Sequence, residues 1–309
     1  MKLPIGSGIV LLTATFASAA PTSLQNILKN TDRSGLYQYP TDLTRDIIPV
    51  PVHSHNDYWR DVPFYTALAA GCISIEADVW LYDDTLYVGH DQSSLTKKRT
   101  LSSLYIEPIL EVLKKQNPKS QFVTERTKNG VYDTSPGQTL YLFIDVKTSG
   151  REAWPHIVKA LKPLRDQGYL TTLKDNTTLT KGPVTVIGTG GTPLELVAPV
   201  ANRDYFIDGP LADLKDKEEF TSLLSPIAST SFEDTVGDFN ADTENPLNST
   251  QLSAIREQIK TAKERGIGVR YWGTPGWPVR LRNELWRVLL KEGVTLLNAD
   301  DLEATGKFF

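Results

Sequence analysis

Eight short, strand-like apolar runs recur along the chain, and helical patterns or loops separate them. They are Val50–His55, Ser74–Trp80, Tyr141–Thr148, Val184–Gly188, Tyr205–Asp208, Ile227–Phe232, Gly268–Trp272 and Val294–Ala299. Strands that alternate with helices read as a parallel sheet with helices packed on its face. Helical patterns cover Pro63–Ala70, Leu101–Gln116, Ala153–Gln167, Gln251–Glu264 and Pro278–Lys291. Gly71, Gly168, Gly266 and Gly293 follow four of them where a C-cap glycine belongs. The pattern predicts an α/β fold: a single (β/α)8 barrel of the TIM type, irregular after strands four to six. The chain stops soon after the last strand, so the eighth helix is expected to be truncated. Leu86–His90 is expected to hairpin back from the second strand, with Asp83-Asp84 at the turn.

The 309 residues suit one such barrel. Residues 1–19 read as a signal peptide: Lys2 gives a positive start, Ile9–Phe16 is mostly apolar, and Ala17-Ser18-Ala19 offers small residues for cleavage. The apolar run is too short to span a bilayer. The expected order is a leader over 1–19, an N-terminal extension over 20–48 and the barrel over 49–309. The mature protein is then secreted, a monomer with at most peripheral membrane contact. Asn176-Thr177-Thr178 and Asn248-Ser249-Thr250 have the form of glycosylation acceptors. Cys72 is the sole cysteine, which leaves no intrachain disulfide and a fold that relies on its core. A net charge of −4 does not point to nucleic acid.

Residues two apart in a strand share a face. In the second strand Glu76 and Asp78 share one face, and Ile75, Ala77 and Val79 share the other. Asp145 and Lys147 repeat this in the third. His53 pairs with His55 in the first, Arg270 with Trp272 in the seventh, and Asn298 with Asp300 in the eighth. A barrel turns those polar faces into its lumen, and barrel active sites lie at the C-terminal mouth. Inward charges must be paired or hold a metal. Glu76, Asp78 and Asp145 supply three hard carboxylates and no sulfur, which favours Mg²⁺, with Mn²⁺ or Ca²⁺ as alternatives. Without a metal, the same acids would form an internal salt-bridge network with Lys147 and Arg270. His55 and His90 lie near strand ends on the same side and suit acid–base work on a phosphodiester. His53 reads as satisfying a strand end, and His156 lies on a helical segment.

The run His55-Asn56, then Glu76-x-Asp78, then His90-Asp91, then Asp145-x-Lys147 resembles the phosphatidylinositol-phospholipase-C-like phosphodiesterase superfamily. That group contains glycerophosphodiester phosphodiesterases and sphingomyelinase D-like enzymes. Within it, His-Ser-His-Asn-Asp-Tyr-Trp at 53–59 and Ile-Glu-Ala-Asp-Val-Trp at 75–80 resemble the fungal family called altered inheritance of mitochondria protein six. The resemblance implies His55 and His90 as the catalytic pair, Glu76, Asp78 and Asp145 as metal ligands, and Lys147 as a phosphate contact. It also implies Trp272 as a pocket wall. Asn56 and Arg270 are further candidates for substrate contact. The chain departs from glycerophosphodiesterases at His55-Asn56-Asp57, where they carry His-Arg-Gly, and at Asp145, where they carry Glu.

The expected function is therefore metal-dependent cleavage of a small-molecule or lipid phosphodiester by two histidines, giving either hydrolysis or a cyclic phosphate. Two alternatives are a secreted glycoside hydrolase and a catalytically silent barrel that only binds. A glycosidase needs two carboxylates across a sugar, whereas Glu76 and Asp78 share one face of one strand. In the loop after strand seven, Trp277 is expected to pack under a neighbouring loop.

Overall fold

The computed structural model describes residues 21–31, 34–39, 41–238 and 246–309. The expected leader over residues 1–19 lies outside the described residues. The chain divides into two units, Met1–Pro40 and Thr41–Phe309. In the first, Ser23–Thr31 is a helix. Its entry is capped reciprocally: the Thr22 amide donates to Gln25 Oε1 at 2.7 Å, and the Gln25 amide donates to Thr22 Oγ1 at 3.3 Å.

The second unit begins at Thr41, ahead of the expected boundary at 49. Thr44 explains the shift. Its buried hydroxyl donates to Val131 O at 2.9 Å and accepts from the Asp133 amide at 3.0 Å and from Gln116 Nε2 at 3.1 Å. Those bonds tie residues 41–48 to the barrel.

The strands of this unit are β1 (Val50–Ser54), β2 (Cys72–Tyr82), β3 (Thr85–Val88), β4 (Leu140–Val146), β5 (Thr172–Lys174) and β6 (Thr178–Thr180), followed by β7 (Val184–Gly190), β8 (Phe206–Ile207), β9 (Gly209–Pro210), β10 (Ile227–Ser231), β11 (Gly268–Trp272) and β12 (Leu296–Ala299). The main sheet runs β8-β7-β4-β2-β1-β12-β11-β10-β9, parallel throughout. Only Asp208 separates β8 from β9, so the sheet starts and ends on one extended segment. That segment pairs with β7 through β8 and with β10 through β9. The ring therefore closes with eight staves, each coinciding with an expected strand. The antiparallel β3 hairpin is also present, with Asp83 and Asp84 both at positive φ. A second hairpin, β5–β6, is unforeseen; Asp175 and Asn176 form its turn.

Helices follow the staves where the pattern placed them. Glu107–Gln116, Gly150–Ala160, Ser249–Glu264 and Val279–Glu292 are the long ones. The third expected helix breaks at Leu161, and a short helix, Lys162–Asp166, restarts with Pro163 in its first turn, where a missing N–H costs nothing. Only a four-residue helix, Leu194–Val197, follows β7, and a 3-10 turn, Leu211–Asp216, follows β9. The last helix, Leu302–Phe308, has seven residues and is truncated as expected. Gly293 sits at φ 98°, where its amide meets Leu289 O and Leu290 O; a side chain there would be strained.

Alternation along the staves sorts the core. Ile75, Ala77, Val79, Ile144, Val146, Val269 and Tyr271 pack outward in the main apolar cluster. Phe143, Ile187, Phe206, Ile227 and Leu296 form a separate cluster. They share parity with Asp145, Thr189, Asp208, Ser229 and Asn298, so they plug the lumen beneath a polar layer.

Cys72 is buried, and burial pushes its thiol up to about 12. Asn176 is exposed in the hairpin turn. Asn248 is exposed and caps the helix Ser249–Glu264, accepting from the Gln251 amide at 3.0 Å.

Candidate metal and histidine site

β2 and β4 lie side by side in register, with Asp78 opposite Asp145. This places three inward carboxylates together: one oxygen each of Glu76, Asp78 and Asp145 lies within 4.8 Å of the others. Gly190 at the end of β7 makes room for the third. A Cβ there would lie 1.9 Å from Asp145 Oδ1, and its φ of +59° is one that side chains rarely adopt.

Two cations answer the three acids. Lys147 Nζ bridges Asp145 Oδ2 at 2.7 Å and Asp78 Oδ2 at 3.0 Å. Arg270 NH1 lies 3.7 Å from Glu76 Oε1. Burial works against the Lys147 ammonium, but Asp145 and Asp78 outweigh it and raise its pKa. Burial likewise pushes Glu76 up, yet the His53 contact and the Arg270 charge hold it well below the usual carboxylate range. Asp78 goes the other way. Burial, then the charges of Glu76 and Asp145, raise it to about 7. Its Oδ1 is buried with no hydrogen-bond partner among the described residues. An orphaned anionic oxygen in a cluster of hard carboxylates is the donor set a divalent cation of the Mg²⁺ or Ca²⁺ kind takes, so the residues fit such an ion.

The loop after β1 carries the first histidine. Asp57 pins this loop, accepting from Ser54 Oγ at 2.7 Å and from the Phe64 amide at 2.6 Å. Asn56 turns the chain at φ 48°, a left-handed position that asparagine tolerates, and its amide donates to Glu76 Oε2 at 3.0 Å. His55 Nδ1 lies 2.8 Å from Asp300 Oδ1, while its Nε2 faces Glu76 Oε2 at 3.7 Å. Burial lowers the His55 pKa, but Asp300 and Glu76 outweigh it, and the net shift is upward. His90 follows β3, half exposed, with its ring 5.2 Å from that of Trp59. Its Nδ1 lies 3.2 Å from the Tyr58 hydroxyl and 3.7 Å from Asp78 Oδ2. That hydroxyl also meets Asp78 Oδ2 at 2.8 Å and Asn56 Oδ1 at very close range.

His55, His90, Glu76, Asp78, Asp145, Lys147, Asn56 and Arg270 thus join in one contact network. Two of them do so differently from expectation. Arg270 is 3% exposed and is occupied by Ser229 Oγ at 2.9 Å, His53 Nε2 at 2.8 Å and Asn298 Oδ1 at 3.2 Å. Its guanidinium is taken up by these partners and lies beside Glu76 and His53. The Asn56 side chain is held between Tyr58, which donates to its Oδ1, and His55, whose Nδ1 lies 3.3 Å from its Nδ2, while its backbone amide serves Glu76. His53 is fully buried against Ser74 Oγ at 2.7 Å, and burial with Arg270 lowers it to about 4; it is a neutral linker, more than a satisfied strand end. His156 lies apart, 3.6 Å from Asp84. Trp272 ends β11 at 41% exposure on the lumen side of the strand. Trp277 is 77% exposed, against expectation; its turn, Gly273-Thr274-Pro275-Gly276, supplies no large apolar side chain to cover it.

Three further residues join the site to which the sequence assigns no role. Asp300 is expected on the inward face with Asn298, but its partner His55 is not evident from the sequence. Tyr58 lies in a 3-10 turn with no periodicity to flag it. Asp208, between β8 and β9, is buried and raised to about 6, with Arg270 NH2 at 3.6 Å.

An acidic cluster flanked by two histidines at the mouth of a (β/α)8 barrel is an arrangement suited to metal-assisted phosphoryl chemistry. Residues 41–208 match the model of the AIM6-like phosphodiesterase domain. The chain is 65% identical to an altered inheritance of mitochondria protein 6 homolog of Arthroderma benhamiae, over all of both chains. It is 38% identical to altered inheritance of mitochondria protein 6 of Eremothecium gossypii, covering 86% of this chain and 71% of that one, and 35% identical to the Saccharomyces cerevisiae protein of that name, covering 84% and 71%. The chain belongs to this family. Among solved structures, a glycerophosphodiester phosphodiesterase of Parabacteroides distasonis aligns at a TM-score of 0.46 with 13% identity, over 84% of this chain and 97% of that one.

Proposed function

We propose that this protein is a secreted, metal-dependent phosphodiesterase that works by two-histidine acid–base catalysis. The observation that carries the reading is the carboxylate cluster set between His55 and His90, with the orphaned Asp78 Oδ1 inside it. Glu76, Asp78 and Asp145 would hold one Mg²⁺-like ion, with Mn²⁺ or Ca²⁺ as substitutes. Such an ion neutralises the nonbridging oxygens of a bound phosphodiester.

The chain's own groups do the rest. One histidine takes the proton of the attacking hydroxyl as its oxygen bonds to phosphorus. The other gives a proton to the departing alcohol as the second phosphorus–oxygen bond breaks. A neighbouring hydroxyl of the substrate as attacker yields a cyclic phosphate, and water yields a monoester. Lys147 keeps its charge beside the cluster and adds a positive contact to the phosphoryl oxygens. The substrate is a small-molecule or lipid phosphodiester met at the mouth, where Trp272 offers an apolar face. No described helix is long and apolar enough to cross a membrane. The mature chain acts as a monomer, glycosylated at Asn176 and Asn248.

The glycosidase reading is weaker, because the three carboxylates converge on one point instead of flanking a sugar. A silent barrel would not need both histidines to be oriented. Turnover of bis(p-nitrophenyl) phosphate with Mg²⁺ and with EDTA tests the proposal. Wild type is expected to be active only with the ion, His55→Ala and His90→Ala to lose at least about a hundredfold in kcat, and His156→Ala to lose little. An active His90→Ala protein would count against it.

A further inference from the structure

We infer that Tyr58 is a positioning residue that fixes the tautomer of His90, leaving Nε2 as the ring nitrogen that moves the proton. The inference rests on the acid–base role proposed for His90.

The argument is one of proton counting. A phenol hydroxyl has one proton and can accept through its lone pairs. The Tyr58 hydroxyl faces Asp78 Oδ2 at 2.8 Å, Asn56 Oδ1 at very close range and His90 Nδ1 at 3.2 Å. Asp78 Oδ2, which also meets Lys147 Nζ at 3.0 Å, and Asn56 Oδ1 are both acceptors nearer than the imidazole, and the hydroxyl donates to one of them. Whichever takes it, the hydroxyl has only a lone pair to turn toward His90. Among the described residues, the other polar group near His90 Nδ1 is Asp78 Oδ2 at 3.7 Å, again an acceptor. Nδ1 must therefore carry hydrogen. Exchanging the amide nitrogen and oxygen of Asn56 changes nothing, since the phenol proton then goes to the carboxylate.

The phenol is held for this task. Tyr58 is 2% exposed, and Arg99 NH2 donates to its backbone carbonyl at very close range. Burial, then the Asp78 charge, keeps the phenol protonated. Trp59, the next residue, lies against the His90 ring at 53° and limits its rotation. One short turn thus sets both the tautomer and the plane of a histidine on a different loop. His55 is treated alike by other means, with Nδ1 anchored on Asp300. Both imidazoles then present Nε2.

The test reads the tautomer directly. In full-length protein labelled with ¹³C and ¹⁵N at histidine and held in Mg²⁺, the His90 ring signals are assigned by their loss in His90→Gln. They are recorded at alkaline pH. Wild type is expected to show hydrogen on Nδ1. Tyr58→Phe is expected to shift population to the Nε2–H form and to lower kcat by about 10–100-fold, with KM within about twofold. A wild-type ring with hydrogen on Nε2 overturns the inference. So does a folded Tyr58→Phe protein whose tautomer or kcat is unchanged. If Tyr58→Phe does not fold, the wild-type tautomer decides alone. Absence of turnover on every phosphodiester would defeat the proposed function, while the NMR result would still decide the role of Tyr58.

Discussion

Asp300 Oδ1 lies 2.8 Å from Nδ1 of His55, joining the end of the last stave to the loop after the first across 245 residues of chain. A carboxylate behind an imidazole fixes which nitrogen faces the substrate and favours the protonated ring. Barrel closure makes the contact possible, since β12 pairs with β1 and the His55 amide itself bonds to Ala299 O. Asp300→Asn is therefore expected to lower kcat by about 10–100-fold with little change in KM, as measured by steady-state kinetics. A rise in KM at constant kcat would show instead that Asp300 serves binding.

The acidic cluster is strained without a cation, and the strain has a pH signature. In the metal-free fold Asp78 sits at about 7 against an ordinary 3.8, so folding favours its protonated form. Its charging costs no stability below about pH 4. The cost grows as the pH rises and is complete above about pH 7. Asp78→Asn should thus raise Tm in EDTA at pH 8 and leave it unchanged near pH 4. In saturating Mg²⁺ the order should reverse, because the variant loses a ligand. Thermal melts of both proteins at the two pH values check this.

Gly190 offers a way to disturb the metal site without touching a ligand. A methyl group there meets Asp145 Oδ1 at 1.9 Å and must displace it. Gly190→Ala is expected to weaken Mg²⁺ binding by about tenfold or more, read by calorimetry. Unchanged affinity would mean that Asp145 lies outside the coordination shell.

Trp272 speaks to the substrate's body. If that body is a lipid chain, Trp272→Ala should cost about 1.5–3 kcal/mol of apolar contact, and kcat/KM should fall about tenfold or more. Metal affinity should not change. A short-chain, water-soluble phosphodiester should be spared. Equal loss on both substrates would assign the tryptophan to phosphate positioning or to barrel packing.

Much of this was legible before any coordinates. Period-two alternation put Glu76, Asp78, Asp145 and Lys147 on inward faces, and in the folded barrel Lys147 joins Asp78 and Asp145 at 3.0 Å and below. All eight staves were visible, although the one that closes the ring, expected at Tyr205–Asp208, runs on to Pro210, and Gly209 and Pro210 make the closing pairs with β10. What was hidden depends on distance in sequence or on irregular backbone. Asp300 needs closure to find His55. Tyr58 reaches His90 only because Asn56 takes a left-handed turn. Arg270 was readable as inward, but its depth was not, since alternation gives the face of a strand and says nothing of height along the lumen. Trp277 stands open, although large apolar side chains usually find cover, because the residues of its turn carry no large apolar side chain.

The central claim is that the barrel mouth cleaves phosphodiesters with a bound divalent cation and two histidines. Phosphorus NMR on a panel of lysophospholipids, sphingomyelin and glycerophosphodiesters, incubated with Mg²⁺-loaded or EDTA-treated protein, tests it most directly. The account predicts that a monoester or cyclic phosphate signal grows from at least one substrate, disappears in EDTA and is absent with His55→Ala. Turnover that persists in EDTA, or no turnover of any phosphodiester by the metal-loaded wild type, would contradict it.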